Sequence, residues 1–111
     1  MSTQQVAFAL GWDCGIDDDG AYWVTPGGHR VDTTPEYWNG QRMDHLSAWA
    51  FQRGYNLVCG ILVNGYLAWM EDESGEEVET AYFGDTIGEA VCASFLDLHT
   101  RLGQNKNTNA D

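Results

Sequence analysis

The sequence predicts a single α+β domain in which a three-stranded antiparallel sheet is packed with amphipathic helices. Three observations predict it. Two segments repeat apolar residues at helical spacing between start and stop signals. Three intervening β-rich runs are joined by Asn-Gly and Ser-Gly turn signals. A chain of 111 residues that is 43% hydrophobic suffices for one core and is too short for two. The domain is expected over residues 1–103, followed by a polar tail, QNKNTNAD at 104–111, expected to be disordered.

From the N-terminus, STQQVAFAL (Ser2 to Leu10) reads as a short helix with Ser2 or Thr3 as cap and Val6, Ala7 and Leu10 at helical spacing. DDDG (Asp17 to Gly20) is a turn. AYWVT, PGG and HRV then follow the pattern of a small hairpin or extended excursion, which Pro35 closes. In NGQRMDHLSAWAFQR (Asn39 to Arg53), the positions of Met43, Leu46, Trp49, Ala50 and Arg53 predict an amphipathic helix. It stops at Gly54, where a left-handed residue is wanted. The last helix opens on the capping box Thr86-Ile-Gly-Glu89 and carries Ile87, Val91, Phe95, Leu98 and Leu102 as one stripe, with Gly103 as its expected stop.

Between these helices lie three expected strands, Tyr55 to Val63, Tyr66 to Asp72 and Glu76 to Phe83. Asn64-Gly65 is a strong hairpin signal, since a type I′ turn needs positive φ at both positions. A two-residue turn there pairs Val63 with Tyr66, Ile61 with Ala68 and Cys59 with Met70 on one apolar face that includes Leu57. The next turn is fixed by parity, because a slip of one residue swaps the faces of a strand. Two or four turn residues would put Glu77 and Glu79 beside Met70. A three-residue loop, Glu73-Ser74-Gly75 with Gly75 left-handed, puts Val78, Thr80 and Tyr82 there instead. It also sets Glu71 opposite Glu77 and Trp69 opposite Glu79 on the outer face.

The charge is far from balanced. Seventeen Asp and Glu against five Lys and Arg give a formal charge of -12, with a pI near 4.2. That balance opposes direct binding to DNA, RNA or an anionic membrane, so a charged partner is expected to be basic. No Lys or Arg falls between Arg53 and Arg101, an interval holding Glu71, Asp72, Glu73, Glu76, Glu77, Glu79, Asp85, Glu89 and Asp97. EDESGEEVE (Glu71 to Glu79) places six carboxylates in nine residues. Carboxylates on one face of a strand stand about 6.7 Å apart. The hairpin would therefore present an array of negative charge beside Trp69, Leu67 and Leu62. Opposed Glu71 and Glu77 repel at a cost of about 0.2–1 kcal/mol. The bland explanation is a solvated tip whose charge blunts edge association. The functional one is an anionic lattice with an aromatic anchor that occupies the phosphate-binding groove of a nucleic-acid-binding protein.

Other chemistries fit poorly. With their glycines at position 6 of an EF-hand loop, DDDG and DESG put Gly15 or Met70 at position 1 and Pro26 or Ala81 at position 12, so neither matches. His29, His45 and His99 lack zinc spacing with any cysteine, and no nucleophile elbow or P-loop occurs. Exposed acids in a turn lack the apolar pocket that would raise one carboxyl pKa for glycosidase chemistry. No catalytic residue, metal or cofactor is expected. Cys14, Cys59 and Cys92 are odd in number and widely spaced, which suits reduced thiols, with Cys59 and Cys92 expected as buried small hydrophobes. With no signal peptide and no apolar run near 20 residues, the expected setting is the cytoplasm.

The order of motifs is similar to a known family. A first helix ends in GW, then come YWVTPGGHRV, TPEYW leading into a helix with SAWAF, a β-hairpin, and GDTIGEAVCASFLDL. This arrangement over residues 5 to 102 resembles the phage α-β-α sandwich family of small bacteriophage proteins. Asp85-Thr86 and Glu89-Ala90-Val91-Cys92 match that family's final motif, whereas YWNGQRMD departs from its usual helix lead-in and the acidic hairpin is heavier. The resemblance implies an α-β-α sandwich-like sheet covered on both faces and a phage origin, and it carries no catalytic residues. As a class, small acidic phage proteins resemble inhibitors of host nucleic-acid machinery, including anti-CRISPR proteins. The expectation is thus a non-enzymatic inhibitor, acting in the host bacterial cell, that binds a basic surface of a CRISPR effector or similar complex through Glu71, Asp72, Glu73, Glu76, Glu77 and Glu79 with Trp69 as anchor. The alternatives are a self-associating phage protein, a dimer joined through Trp69, Leu62 and Leu67, and a small-molecule enzyme or cation-binding module.

Overall fold

The computed structural model describes residues 3–31, 38, 43–78 and 81–110, with side chains at all of these except 3, 21 and 104–110. Helix α1 (Thr3–Ala9) leads into strands β1 (Asp13–Asp17), β2 (Gly20–Val24) and β3 (Arg30–Val31), which form one antiparallel sheet in that order. Helix α2 (Asp44–Gln52) is followed by β4 (Asn56–Leu62), β5 (Gly65–Glu71) and β6 (Tyr82–Gly84), a second antiparallel sheet, and by α3 (Ile87–Ala110). The class is α+β, with two small sheets where the sequence predicted one sheet and a small hairpin or extended excursion. That hairpin is β2–β3, pairing Val31 with Trp23 and Arg30 with Val24, and the strand added to it is β1, whose DCGID carries no apolar alternation.

The helix ends follow from local chemistry. After α1, Trp12 N–H donates to the Ala7 carbonyl and Gly11 N–H to that of Phe8, with Gly11 at φ +82°. After α2, Tyr55 N–H donates to Ala50 and Gly54 N–H to Phe51, with Gly54 at φ +86°. Both are left-handed glycine caps that satisfy the last carbonyls, and the second is the predicted one. The portion of the predicted helix at 39–42 lies outside the described residues. At the start of α3, Thr86 Oγ1 accepts from Glu89 N–H, while Glu89 Oε2 accepts from Asp85 N–H, one residue before the expected return. Helix α3 continues past Gly103, which is not in the left-handed region and so provides no such cap.

The β4–β5 hairpin departs from its predicted register. Leu62 pairs with Gly65, Ile61 with Tyr66, Cys59 with Ala68 and Leu57 with Met70, a slide of two residues that leaves every side chain on its predicted face. The turn residues are Val63 and Asn64, and neither Asn64 nor Gly65 has positive φ, so the turn is not type I′. Gly65 serves a different purpose. A Cβ there would lie 2.4 Å from Phe83 Cζ and 2.8 Å from the Gly84 carbonyl oxygen, so its missing side chain lets β6 approach β5.

The core joins the inner face of the β4–β5–β6 sheet to the helices. Ala68 and Met70 from β5 are buried with Leu46 and Ala50 of α2 and Val91, Phe95 and Leu98 of α3, and Val6 and Ala7 of α1 join them. Trp49 meets Phe95 edge-on at 5.0 Å, and Tyr82 O–H donates to Asp97 Oδ2 at 2.6 Å, tying β6 to α3. The other sheet contributes partly buried Trp23 and Val31. Cys92 is buried as expected, whereas Cys59, expected to be buried, is exposed although it pairs with the buried Ala68. Among the described residues, no helix is long and apolar enough to cross a membrane.

Candidate functional site: an acidic hairpin with an indole on its outer face

The acidic hairpin begins where β5 leaves the core. Met70 is buried, so Trp69 and Glu71 on either side of it point to the opposite face, where both are half-buried. Asp72 then organises the turn. Its Oδ1 accepts from Ser74 N–H at 2.9 Å, Ser74 O–H at 2.6 Å and Glu76 N–H at 3.1 Å. The Ser74 hydroxyl, followed by the Glu76 amide, holds the Asp72 carboxyl below its ordinary 3.8. Backbone bonds from Asp72 N–H to the Glu76 carbonyl and from Gly75 N–H to the Asp72 carbonyl close the loop, with Gly75 at φ +88°. Glu71 forms a bridge pair with Glu77. The three-residue loop and the Glu71–Glu77 opposition are therefore present as predicted.

The return strand is less regular than predicted. Glu71 pairs with Glu77, but Ala68 pairs with Tyr82. Three positions along β5 correspond to five on the return strand, so two extra residues are inserted between Glu77 and Tyr82. The predicted strand Glu76 to Phe83 is reduced to that bridge and the short β6. An even insertion keeps Tyr82 on the inner face. Glu79 and Thr80, and with them the predicted Trp69–Glu79 opposition, lie outside the described residues.

Of the predicted binding residues, Glu73, Glu76 and Glu77 are exposed, and Glu71 and Asp72 are half-buried. Among the described residues, none of these five carboxylates is ion-paired to Lys or Arg; Arg30 pairs with Asp17 and Arg101 with Asp97. Arg53 borders a cleft of about 370 Å³ with Gly54, Tyr55, Asp72, Glu73 and Ser74, yet it stacks on Trp49 at 4.0 Å and donates to the Trp49 carbonyl.

One contact escaped the sequence reading. Trp69 Nε1–H donates to Glu71 Oε2 at 2.9 Å, and the far edge of the indole passes 3.8 Å from where a Cβ on Gly60 would sit. One edge of the ring thus touches a glycine of the neighbouring strand, and the other is fixed by a carboxylate of its own strand. The i, i+2 spacing of Trp69 and Glu71 on one strand face was the available signal. Leu62, Leu67 and Phe83 share this face, and the core includes none of them.

The remaining candidates stay apart from the hairpin. His29 and His45 line a cavity of about 320 Å³ with Trp12, Pro26 and Val31, and His45 meets Trp12 edge-on at 5.3 Å. Cys14 is exposed, and burial pushes the Cys92 thiol up to about 12, which opposes a nucleophilic role at that position. Among the described residues, no group of three or more His, Cys, Asp or Glu could hold a metal ion. No family model matches the chain, and neither a curated protein nor a solved structure resembles it significantly.

Proposed function

We propose that the protein is a non-enzymatic, phage-encoded inhibitor of the anti-CRISPR type, acting in the host cytoplasm. It sets Glu71, Asp72, Glu73, Glu76, Glu77 and Glu79, with Trp69, against a basic nucleic-acid-binding surface of a host defence complex, where it stands in for DNA. One observation carries the reading: among the described residues Glu71, Asp72, Glu73, Glu76 and Glu77 have no Lys or Arg partner, with Asp72 fixed by the turn and Glu71 by the Trp69 indole. An array of uncompensated anions costs stability within the chain and is repaid where a basic groove supplies the counter-charge. The CRISPR effector as partner follows from the resemblance to phage proteins. The α-β-α arrangement is part of the same proposal: α2 and α3 supply one layer on the β4–β5–β6 sheet, and the second lies on the Trp69 face, completed in the complex.

Competition between the protein and a DNA duplex for the effector, run at graded salt, tests this. Inhibition should weaken as salt rises, and joint replacement of Glu71, Glu77 and Glu79 by Lys should abolish it. Full inhibition by that triple variant would sink the assignment of this face.

A second reading, self-association through Trp69, Leu62 and Leu67, is favoured by the apolar residues at the other end of the hairpin. On the face of Trp69 and Leu67, Leu62 is 42% exposed and Phe83 is 51% exposed. Light scattering over a range of concentrations separates the two, since a stable dimer supports the second reading and a monomer the first.

A further inference from the structure

One aromatic ring with a neighbouring carboxylate holds an arginine of this chain, and a second such pair holds none among the described residues. In the β1–β2–β3 sheet the Tyr22 ring lies over Gly15, so closely that a Cβ there would be 2.5 Å from Tyr22 Cζ. Gly15 is the strand partner of Tyr22, and Asp17 is that of Gly20, so the ring and the carboxylate share a face as diagonal neighbours. Arg30 fills the seat. Its guanidinium carbon is 4.0 Å from the Tyr22 ring centroid, and its Nη2 is 2.6 Å from Asp17 Oδ2. One guanidinium thus stacks on an aromatic face while its in-plane N–H groups reach a carboxylate at the ring's margin.

The β4–β5–β6 sheet repeats the ring and the carboxylate. One edge of the Trp69 indole reaches Gly60 at an ordinary contact distance, its N–H is tied to Glu71 at 2.9 Å, and Glu77 stands opposite Glu71. No cation of the described residues stacks on it; the two such contacts are Arg30 on Tyr22 and Arg53 on Trp49. We infer that Trp69 and Glu71 form a seat for an arginine side chain presented by a protein partner, the guanidinium lying on the outer face of the indole with its edge toward Glu71 and Glu77. Charge decides the occupant. A second copy brings a formal charge of -12 and only five Lys and Arg, of which Arg30, Arg53 and Arg101 are already engaged, so the arginine belongs to a basic protein. Lysine fits less well, because a compact ammonium cannot cover the ring and pair with the carboxylate in one plane.

This inference rests on the proposed docking of the acidic hairpin and names the residue type that the hairpin selects. The test follows the Trp69 side-chain N–H resonance of the full-length protein while blocked tetra-arginine or tetra-lysine peptide is added at equal ionic strength. The arginine peptide should shift that resonance at a concentration about five- to tenfold below the lysine peptide, as one stacked, carboxylate-paired guanidinium implies. Glu71→Gln, which keeps an acceptor for the indole N–H, should remove most of that preference while the other indole resonances stay in place. Equal response to the two peptides, or a preference that survives Glu71→Gln, overturns the seat. So does movement of the Trp69 resonance on concentrating the protein alone, which would assign the face to a second copy. If the arginine preference is absent but the protein still displaces DNA from a basic effector in a salt-dependent way, the acidic-surface reading stands and only the seat falls.

Discussion

The two sheets share a strand count and an antiparallel order, yet they use charge and burial in opposite ways. The β1–β2–β3 sheet has little core. Its described side chains are at best half-buried, and its carboxylate Asp17 is matched by the chain's own Arg30. The β4–β5–β6 sheet carries Ala68 and Met70 at zero exposure on one face, and among the described residues the carboxylates at its end have no ion-paired Lys or Arg. The sheet that can bear uncompensated charge is the one anchored by the core. Repulsion between Glu71 and Glu77 costs a fraction of what Met70 and its neighbours contribute.

The largest effect that would sharpen this contrast is at the core. Met70→Ala should destabilise the protein by about 2–5 kcal/mol, whereas Val31→Ala in the other sheet should cost clearly less, both read by chemical denaturation. Equal losses would break the claim that one sheet carries the fold. Next comes the close approach of β5 and β6. Gly65→Ala should cost about 1–3 kcal/mol, because the new methyl meets the Gly84 carbonyl as well as the movable Phe83 ring. Substituting Gly60, where the nearest atom is 3.8 Å away, leaves room for a methyl and should be milder.

The smallest effect concerns pH. The Arg30 hydrogen bond, followed by the Asp19 amide, lowers the Asp17 carboxyl below the ordinary 3.8, and the Ser74 hydroxyl lowers that of Asp72. In both cases the folded form binds its proton less readily than the unfolded chain. The associated stability is therefore present above about pH 4 and lost as pH falls through the folded-state pKa values. Carboxyl titration by NMR should show both shifts. Arg30→Gln should erase most of the Asp17 shift and leave Asp72 alone, and Ser74→Ala should do the converse. A shared response to either change would mean that the two sheets are not electrostatically independent.

What the sequence made legible was local or set by parity. The Thr86 cap, the Gly54 stop and the three-residue loop with left-handed Gly75 each follow from one turn's worth of residues. The face of each hairpin residue followed because the apolar pattern tolerates no odd slip. What escaped was non-local. Asn64-Gly65 carries a strong turn signal, but Phe83 arrives from a distant part of the chain and claims the space over Gly65, drawing that residue into the strand. The bond between Trp69 and Glu71 was within reach of strand spacing. The β2–β3 hairpin was legible from its Pro-Gly-Gly turn, whereas β1, whose DCGID shows no apolar alternation, was not.

The paired insertion between Glu77 and Tyr82 also bears on how this return strand can vary in length. Growth or loss by an even number of residues preserves which way each side chain faces, so the Tyr82 hydroxyl keeps its bond to Asp97 while the charged tip is displaced along the sheet. An odd change would turn Tyr82 away from α3 and unfasten the strand.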